Sequence, residues 1–481
     1  GRTGIVGGAV PAGGVLLSLA RMNQVLGLRR LDNGRFALRV EPGISVAELG
    51  DRLASTDLGF DVSSADAETA AALRELRSLD ASLFYPPDPT EDTAHIGATV
   101  ATNASGARSF RYGPTRAHVN AVRLCLTDGR VIAVERGDHR ADGRTFIIDG
   151  AGRRAEFEVP SYAMPPIKNA AGYFAGRDMD VVDLLIGSEG TLGVFTEVEL
   201  LLSTAPEGVL SALAFFGSDA DALEFVEDAR RDGAPVSPLS LEFFDSRSLD
   251  FLRVRKDDEG AGSAIPELPA GAGSAVLFEQ QYTEETLLDV YEGWEGLLSA
   301  HGSSMDDTWG GMEEAELARL KALRHSIPEQ VNGTIARARA RHPEIHKVGT
   351  DAAVPSEALS AMFTFYRDEL DGTGLPHVMF GHIGDSHLHL NIMPGTPDEL
   401  SEAKSLAARF AKKAVELGGT VSAEHGIGRL KHELLRIQYG DSGLKEMALV
   451  KLAFDPPAIL NRGVMFPEQL LDESAPASLE T

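Results

Sequence analysis

Cysteine is almost absent from this chain of 481 residues, which contains only Cys125. A single thiol excludes an intramolecular disulfide and any metal site built from several thiolates. It favours a reducing compartment, so we expect a cytoplasmic protein, with peripheral association with the inner membrane as the alternative. Uninterrupted apolar runs of about 20 residues are also lacking, so the sequence predicts no transmembrane segment.

Basic residues are scarce beside acidic ones, because 45 Lys and Arg face 72 Asp and Glu and give a formal net charge of −27. Nucleic acids and anionic membrane surfaces both bind through positive charge, so this balance argues against either partner. An anionic small molecule would need a local basic pocket. The composition is otherwise globular, with 43% hydrophobic residues, and the chain is long enough for more than one domain.

Strand-like runs, glycine-rich turns and helical periods alternate along the chain, which predicts an α+β fold. One strand-like run is "GVLLSLA" at residues 14–20, and residues 61–82 read as a helical insertion. From residue 347 onward the order is strand, helix, strand, helix, strand, and the last of these strands is "TVSAEHG" at residues 420–426. This order predicts a ferredoxin-like antiparallel sheet covered by helices.

Three histidines, His382, His387 and His389, fall close together in "GHIGDSHLHLNI". Alternate residues of a strand share a face, so His387 and His389 would point the same way if the strand has begun by residue 387. A carboxylate follows later, where Glu424 stands beside His425. Two imidazoles and a carboxylate are typical of a catalytic divalent-metal site, although spacing alone is equally compatible with structural packing.

Glycine clusters recur in the first 205 residues, as "GRTGIVGGAVP", "IGATVATNASGARSFRYGPTR" and "IGSEGTLGVFTEVEL". None is a Walker loop or the usual dinucleotide fingerprint. Glycine exposes backbone N–H groups that can surround phosphate oxygens. Three clusters with few lysines nearby therefore suggest a diphosphate held by backbone amides and hydroxyls.

Five motifs, in chain order, give the sequence a family resemblance: "LFYPPDPTEDTAHIGATVATNASGARSFRYGPTR", "IGSEGTLGVFTEVEL", "GHIGDSHLHLNI", "SAEHGIGRLK" and "LAFDPPAILNRGVMF". They resemble the FAD-linked D-2-hydroxy-acid dehydrogenases, which are the D-lactate, glycolate and D-2-hydroxyglutarate dehydrogenases of the vanillyl-alcohol-oxidase superfamily. The resemblance implies a PCMH-type FAD-binding domain at residues 1–205 and a ferredoxin-like cap domain that binds substrate and metal at 206–440. It also implies a segment at 441–481 that returns to the FAD domain.

The sequence departs from the family pattern at three places. Ala98 stands where the family usually has glycine, and Ser386-His387 stands where it usually has Gly-Asn. The family also has about one more βαβ layer before the "GRTG" turn. Because this chain opens inside that turn and without methionine, we expect a truncated N-terminal layer and a native chain that extends upstream of Gly1.

Residue by residue, the resemblance implies a cofactor site, a metal site and a substrate site. The metal ligands are His382, His389 and Glu424, and His425 is the catalytic base. Arg324 and Lys347 grip the substrate carboxylate, although the residues alone are equally compatible with surface ion pairs. His387 is either a pocket-lining residue or a third ligand that replaces one of the other two. The implied FAD contacts are Arg2, Thr3, Gly4, Gly7, Gly8, Pro87, Asp88, Gly97, Thr99, Asn103, Gly106, Tyr112, Gly113, Glu189, Gly190, Gly193, Asn391 and Asn461.

The implied activity is oxidation of a D-2-hydroxy acid to the 2-keto acid. The implied cofactors are FAD and a divalent metal, for which zinc or manganese is expected in preference to iron. The hydride would pass to flavin N5 and the electrons to a separate electron-transfer flavoprotein, quinone or cytochrome. The expected assembly is a homodimer or a larger oxidoreductase complex. Two alternatives are an FAD-dependent alkyl transferase of the same superfamily, expected to lack the complete His/His/Glu set, and a non-catalytic flavin or metal subunit.

Overall fold

The computed structural model describes residues 3–60, 62–79, 81–150, 153–260, 263 and 265–474, and it confirms an α+β fold. The strands in these ranges are β1 (Val25–Arg30), β2 (Phe36–Val40), β3 (Leu83–Phe84), β4 (Val119–Cys125), β5 (Val131–Glu135), β6 (Thr145–Gly150), β7 (Arg153–Glu158), β8 (Val194–Leu201), β9 (Ser203–Thr204), β10 (Gly208–Phe216), β11 (Ser240–Asp245), β12 (Ser274–Tyr282), β13 (Trp309–Gly311), β14 (Val348–Gly349), β15 (His377–Gly381) and β16 (His389–Ile392). The helices are α1 (Val46–Ala54), α2 (Ala67–Leu76), α3 (Ile96–Thr102), α4 (Ser109–Tyr112), α5 (Val181–Leu185), α6 (Asp219–Ala229), α7 (Ser246–Glu259), α8 (Leu287–Ala300), α9 (Glu314–Arg339), α10 (Leu359–Leu370), α11 (Pro397–Glu416), α12 (His432–Phe454) and α13 (Glu468–Ser474). Among these helices, none combines the length and the apolar composition that crossing a bilayer requires.

The chain forms two compact units. Unit 1 comprises Gly1–Gly106, Tyr112–Ala205 and Ser422–Thr481, and unit 2 comprises Ala107–Arg111 and Pro206–Val421. The sequence predicted a cap domain that continues to residue 440, whereas residues 422–440 belong to unit 1. Hydrogen bonds inside unit 1 hold them there. Ala170 donates its N–H to the carbonyl of Ser422 at 2.8 Å, and Arg429 donates its N–H to the carbonyl of Val6 at 2.9 Å.

Unit 1 is built on a five-stranded antiparallel sheet with the order β1-β2-β8-β4-β5. Glu199 on the central strand β8 is buried, and it accepts from Arg29 Nη2 at 2.6 Å and from Asn120 Nδ2 at 2.7 Å. A buried charge is tolerated because it is paired in this way. The predicted strand at 14–20 does not form. Its Val15 is 96% exposed, and Gly13 and Gly14 precede it with left-handed φ values of 95° and 75°.

Unit 2 is built on a seven-stranded antiparallel sheet with the order β13-β10-β12-β11-β15-β16-β14, as expected for a helix-covered antiparallel sheet. Aromatic side chains pack between one face of the sheet and its helices. Phe278 on β12, for example, stacks on Trp294 of α8 with ring centroids 3.8 Å apart. Neighbouring residues of a strand point to opposite faces. The opposite face therefore carries the polar side chains of Ser240, Glu242 and Glu279.

The predicted strand at 420–426 is also wrong. Thr420 pairs with Ala353 through an isolated bridge outside any strand, and residues 422–428 follow as irregular backbone, bends and a turn. Gly426 and Gly428 have φ values of 73° and 54°, which an extended strand does not accommodate. The backbone N–H groups of this turn bond to a side chain instead, as described with the site below.

A buried ion pair joins helix α12 to two loops of unit 1. The side chains of Lys451 and Asp455 are 1% and 0% exposed, and the ammonium lies 2.8 Å from the carboxylate. Lys451 Nζ also donates to the carbonyls of Thr191 at 2.8 Å and Leu460 at 2.7 Å. Burial lowers the pKa of Lys451.

Replacement of Lys451 by methionine is expected to lower the free energy of unfolding by about 3–5 kcal/mol, because it leaves Asp455 as a buried charge without a counter-ion. Urea unfolding followed by circular dichroism measures this loss. Lys445 is exposed on the same helix, so Lys445→Met is the matched control and should stay within about 0.5 kcal/mol of the unmodified protein. Equal effects of the two substitutions would show that the buried pair is not stabilising.

Candidate functional site

Three histidines lie together in unit 2, where the chain turns from β15 to β16. The turn needs a glycine at its start, because Gly381 has φ 125° and a Cβ there would lie 2.8 Å from the ring of His389. Ser386 closes the turn in the left-handed region with φ 51°. The ring centroids of His387 and His389 are 4.4 Å apart, and the His382 ring lies 5.5 and 5.4 Å from them. One ring nitrogen of each histidine lies within 4.8 Å of the others.

A buried carboxylate stands behind two of these rings. His382 Nδ1 lies 2.6 Å from Glu242 Oε1, and His387 Nε2 lies 3.2 Å from Asp351 Oδ1. All four side chains are at most 7% exposed. A carboxylate in this position fixes the imidazole tautomer and leaves the opposite ring nitrogen as the electron-pair donor. The hydrogen bond to Glu242 therefore leaves Nε2 of His382 as the electron-pair donor, whereas the contact of His387 with Asp351 lacks hydrogen-bond geometry.

The donor set fits a divalent metal. Imidazole nitrogens are ligands for zinc, and carboxylate oxygens extend the choice to manganese. The structure brings together His382 and His389, which were predicted as ligands, and adds His387 to them. Glu424, the third predicted ligand, belongs to unit 1 and is described there.

Glu424 and His425 lie in a short turn of unit 1. Glu424 Oε1 lies 2.5 Å from Lys168 Nζ and accepts a hydrogen bond from Ser105 Oγ at 3.2 Å. The Lys168 side chain is only 4% exposed, so a buried cation balances the Glu424 carboxylate within this unit. Ser422 Oγ donates to the carbonyl of Gly426 at 2.9 Å and closes the turn on itself.

The carboxylate of Glu189 holds this turn from the other side. Its two oxygens accept the backbone N–H groups of Ile427 at 2.7 Å and Gly428 at 2.8 Å. Burial raises the pKa of Glu189 to about 7, although these two N–H donors oppose the shift. The backbone carbonyl of Glu189 accepts from Asn461 Nδ2 at 2.7 Å. Glu189 therefore joins its own segment to the turn that carries Ile427 and Gly428 and to the segment that carries Asn461.

The glycine-rich turns of unit 1 lie beside one another. Gly187 donates its N–H to Val100 of α3 at 2.9 Å, which joins the second and third glycine clusters. A Cβ at Gly8 would lie 3.5 Å from Glu189 Oε2, so the first cluster is adjacent as well. At Gly4 a Cβ would meet no atom within 4 Å, so this backbone is accessible to a ligand. Accessible backbone amides on adjacent glycine turns fit the diphosphate of FAD.

Sixteen of the predicted FAD contacts belong to unit 1: Thr3, Gly4, Gly7, Gly8, Pro87, Asp88, Gly97, Thr99, Asn103, Gly106, Tyr112, Gly113, Glu189, Gly190, Gly193 and Asn461. Asn391 is buried on β16 of unit 2, and Arg2 lies outside the described residues. Asn103 ends α3 in the left-handed region with φ 49°, and its Nδ2 donates to the carbonyl of Asn169 at 3.2 Å.

The two predicted substrate-binding cations are half-buried in unit 2. Lys347 precedes β14, which pairs with β16 through Gly349 and Asn391, and burial lowers the pKa of Lys347. Arg324 lies on α9 near Glu279. Burial opposes ionisation of Glu279, but the charges of Arg108 and Arg324 outweigh it and lower its pKa. An anionic ligand stabilises a partly buried cation, so both side chains are suited to bind a carboxylate.

Sequence reasoning missed Glu242, Asp351 and Lys168. Glu242 interrupts the apolar strand "SLEFFD", and a charged residue inside an apolar run is a signal that was available. Asp351 follows the predicted strand near residue 347, whereas Lys168 lies in an irregular stretch that carries no periodic signal.

Comparison with known families gives two matches. The family described as FAD linked oxidases, C-terminal domain, matches residues 205–465, and the FAD binding domain family matches residues 65–135. The chain is 28% identical over 469 residues to the glycolate oxidase subunit GlcD of Bacillus subtilis, covering 96% of this chain and 82% of that protein. It is 28% identical over 464 residues to a probable mitochondrial D-lactate dehydrogenase of Danio rerio, covering 96% and 77%. It is 27% identical over 480 residues to a D-2-hydroxyglutarate dehydrogenase of Stutzerimonas stutzeri, covering 97% and 84%.

Solved structures of alkyldihydroxyacetonephosphate synthase in two crystal forms are similar in fold. They match with TM-scores of 0.53 and 0.52 at 15% and 16% identity, over 92% of this chain. This chain spans 66% of the length of each solved chain. At this identity the similarity shows the fold alone.

Proposed function

We propose that this chain, which belongs to the family of FAD-linked oxidases, is a dehydrogenase that oxidises a small D-2-hydroxy acid to the 2-keto acid with FAD and a divalent metal. As a member of that family it is a FAD-linked oxidoreductase. Its relatives are named for D-lactate, glycolate and D-2-hydroxyglutarate. These acids share a hydroxyl on the carbon next to a carboxylate, and we propose that this element is what the site recognises.

The observation that carries the proposal is the cluster of three histidines, in which the two buried ones, His382 and His387, each have a carboxylate beside them. We assign His382, His389 and Glu424 as metal ligands and His425 as the general base. When bound, the metal would lower the pKa of a coordinated hydroxyl, and FAD would supply the capacity to accept a hydride. His425 takes the proton from the substrate hydroxyl oxygen, a role suited to a side chain that titrates near neutrality.

The remaining residues bind and orient. Lys347 and Arg324 bind the substrate carboxylate by charge-assisted hydrogen bonds, which fixes the C2–H bond of the substrate. The glycine turns of unit 1 hold the FAD diphosphate through backbone N–H groups. Electrons leave to a separate acceptor, which we assign to the class of electron-transfer flavoproteins, quinones or cytochromes. The single thiol, Cys125, supports a reducing, cytoplasmic setting.

An FAD-dependent alkyl transferase is the competing activity. The three clustered imidazoles and the carboxylates beside them fit a metal site. Alkyl transfer does not require such a site, so the cluster favours the dehydrogenase. A dye-linked assay tests the choice. Reduction of an artificial electron acceptor should follow addition of D-lactate, glycolate or D-2-hydroxyglutarate, and L-lactate should give little. Absence of dye reduction with every 2-hydroxy acid would contradict the proposal.

Replacement of Glu189 by glutamine is expected to lower kcat per bound FAD about 10- to 100-fold while KM changes little. Glutamine keeps the size of the side chain but offers one acceptor oxygen in place of two. Either Ile427 or Gly428 then loses its partner, and the turn that carries Glu424 and His425 loosens. Steady-state kinetics and the FAD-to-protein ratio measure these effects.

The matched control for that substitution is Glu199→Gln, since Glu199 is also buried in unit 1 but bonds to Arg29 and Asn120 in the sheet. This control should lower stability and leave kcat within about twofold. Equal loss of kcat in both variants would mean that Glu189 acts only through general stability.

A further inference from the structure

We propose that His387 is a third imidazole ligand of the metal, so that His382, His387 and His389 form a three-histidine site inside unit 2. The proposal rests on the proposed function for the presence of a metal, and it goes beyond the His382, His389 and Glu424 set. It concerns a histidine that stands where the sequence departs from its family pattern.

The distances between the rings support this assignment. Two imidazole nitrogens on one tetrahedral zinc ion, each about 2.05 Å from it, are separated by roughly 3.4 Å. One nitrogen of each of the three histidines lies within 4.8 Å of the others, so small rotations of the side chains reach that separation. His387 is closer to His389 than His382 is, with ring centroids at 4.4 Å against 5.4 Å. The ring of His387 is therefore inside the cluster.

The surroundings of the His387 ring give the second argument. Metal-bound histidines characteristically direct one ring N–H to a carboxylate and the other nitrogen to the ion. His382 has that arrangement, because its Nδ1 is hydrogen-bonded to Glu242 at 2.6 Å. The buried His387 ring has a carboxylate beside it as well, since Nε2 lies 3.2 Å from Asp351 Oδ1 at ion-pair distance but outside hydrogen-bond geometry.

The turn before His387 is held rigidly, so the ring is positioned before any ligand binds. The His387 N–H donates to the carbonyl of His382 at 3.1 Å, and His387 forms a bridge with Ala353. Ser386 Oγ accepts from Arg230 Nη1 at 2.8 Å, which fixes the left-handed residue of the turn. Pre-positioned ligands lose little conformational entropy when they bind an ion.

A third imidazole also predicts which metal the site prefers. Imidazole nitrogen suits zinc, whereas manganese favours oxygen ligands. We therefore expect zinc to bind this protein far more tightly than manganese. The preference should weaken when His387 is replaced by asparagine, which is the residue that the family usually carries there.

The test measures zinc affinity by competition with a chromophoric chelator, using the full protein stripped of metal. His387→Asn is expected to lower zinc affinity about 10- to 100-fold. The control is His377→Asn, because His377 is also buried in unit 2 but bonds to Arg247 and the carbonyl of Leu375. That variant should bind zinc within about twofold of the unmodified protein.

X-ray absorption of the zinc-loaded protein provides an independent count of imidazoles, with three expected in the unmodified protein and two in His387→Asn. Unchanged affinity together with two imidazoles in both proteins would overturn the proposal. If His387→Asn does not fold, Asp351→Asn serves instead, and it should lower zinc affinity about 10-fold because it removes the carboxylate charge beside the His387 ring. Wild-type affinity in Asp351→Asn would equally overturn the proposal. These measurements involve no turnover, so loss of dehydrogenase activity with intact zinc binding would count against the proposed function alone.

Discussion

His425→Ala is expected to lower kcat by roughly 10³-fold and to leave the FAD content unchanged. The substitution removes the group that takes the hydroxyl proton, and alanine leaves no other base at that position. The bonds from Glu189 to Ile427 and Gly428 hold the turn through its backbone, so the turn should survive the loss of the imidazole. Steady-state rates with a dye acceptor and the visible absorbance of bound flavin measure the two quantities.

His432→Ala is the control for that substitution. His432 begins α12, seven residues further along the same segment, and its Nε2 lies 3.0 Å from the carbonyl of Gly463. Its loss should change kcat less than threefold, as is usual for side chains outside a reacting site (about 0.5 kcal/mol). Partial rescue of His425→Ala by added imidazole would support proton transfer as the missing step. Wild-type turnover in His425→Ala would show that another group is the base.

The second large effect is expected from the metal. Chelation with EDTA should lower kcat/KM by roughly 10²- to 10³-fold, because a bound cation would supply several kcal/mol of stabilisation to the negative charge that develops on the substrate hydroxyl oxygen as its proton leaves. Zinc or manganese should restore the activity of the unmodified protein. His382→Ala should show the same loss without EDTA and should not recover on addition of metal, because the substitution removes a proposed metal ligand.

His346→Ala is the matched control, since His346 is exposed and its Nδ1 lies 3.0 Å from the carbonyl of Glu344. This variant should lose activity with EDTA and regain it with metal, like the unmodified protein. Activity that resists EDTA, in protein shown to contain no metal by elemental analysis, would exclude a metal from the reaction.

Much of the fold could be predicted from the sequence because helical periods determine which side chains are buried. Helix α10 is an example: Leu359, Phe363, Tyr366 and Leu370 recur in the sequence at helical spacing, and all four side chains are buried. Prediction failed where an apolar run was the only evidence for a strand. The run at residues 14–20 has strand-like residues but no partner strand, and pairing across a sheet is not encoded in the run itself.

The candidate site was predictable only in part, for a related reason. The motif "GHIGDSHLHLNI" predicted His382 and His389, and strand alternation predicted a common face for His387 and His389. Strand β16 begins at His389, so it is the turn through Ser386, and not alternation, that brings His387 into the cluster. The carboxylate of Glu242 comes from 140 residues away in the chain. Such partners depend on the register of the seven-stranded sheet, which no local pattern contains.

The central claim is that a D-2-hydroxy acid reduces the FAD of this protein, and an anaerobic titration tests it most directly. The full protein carrying FAD should lose the flavin absorbance at about 450 nm when D-lactate or D-2-hydroxyglutarate is added. L-Lactate at the same concentration should leave the band unchanged. A flavin band that persists with every D-2-hydroxy acid would contradict the account, and so would one that both enantiomers of lactate bleach at equal rates.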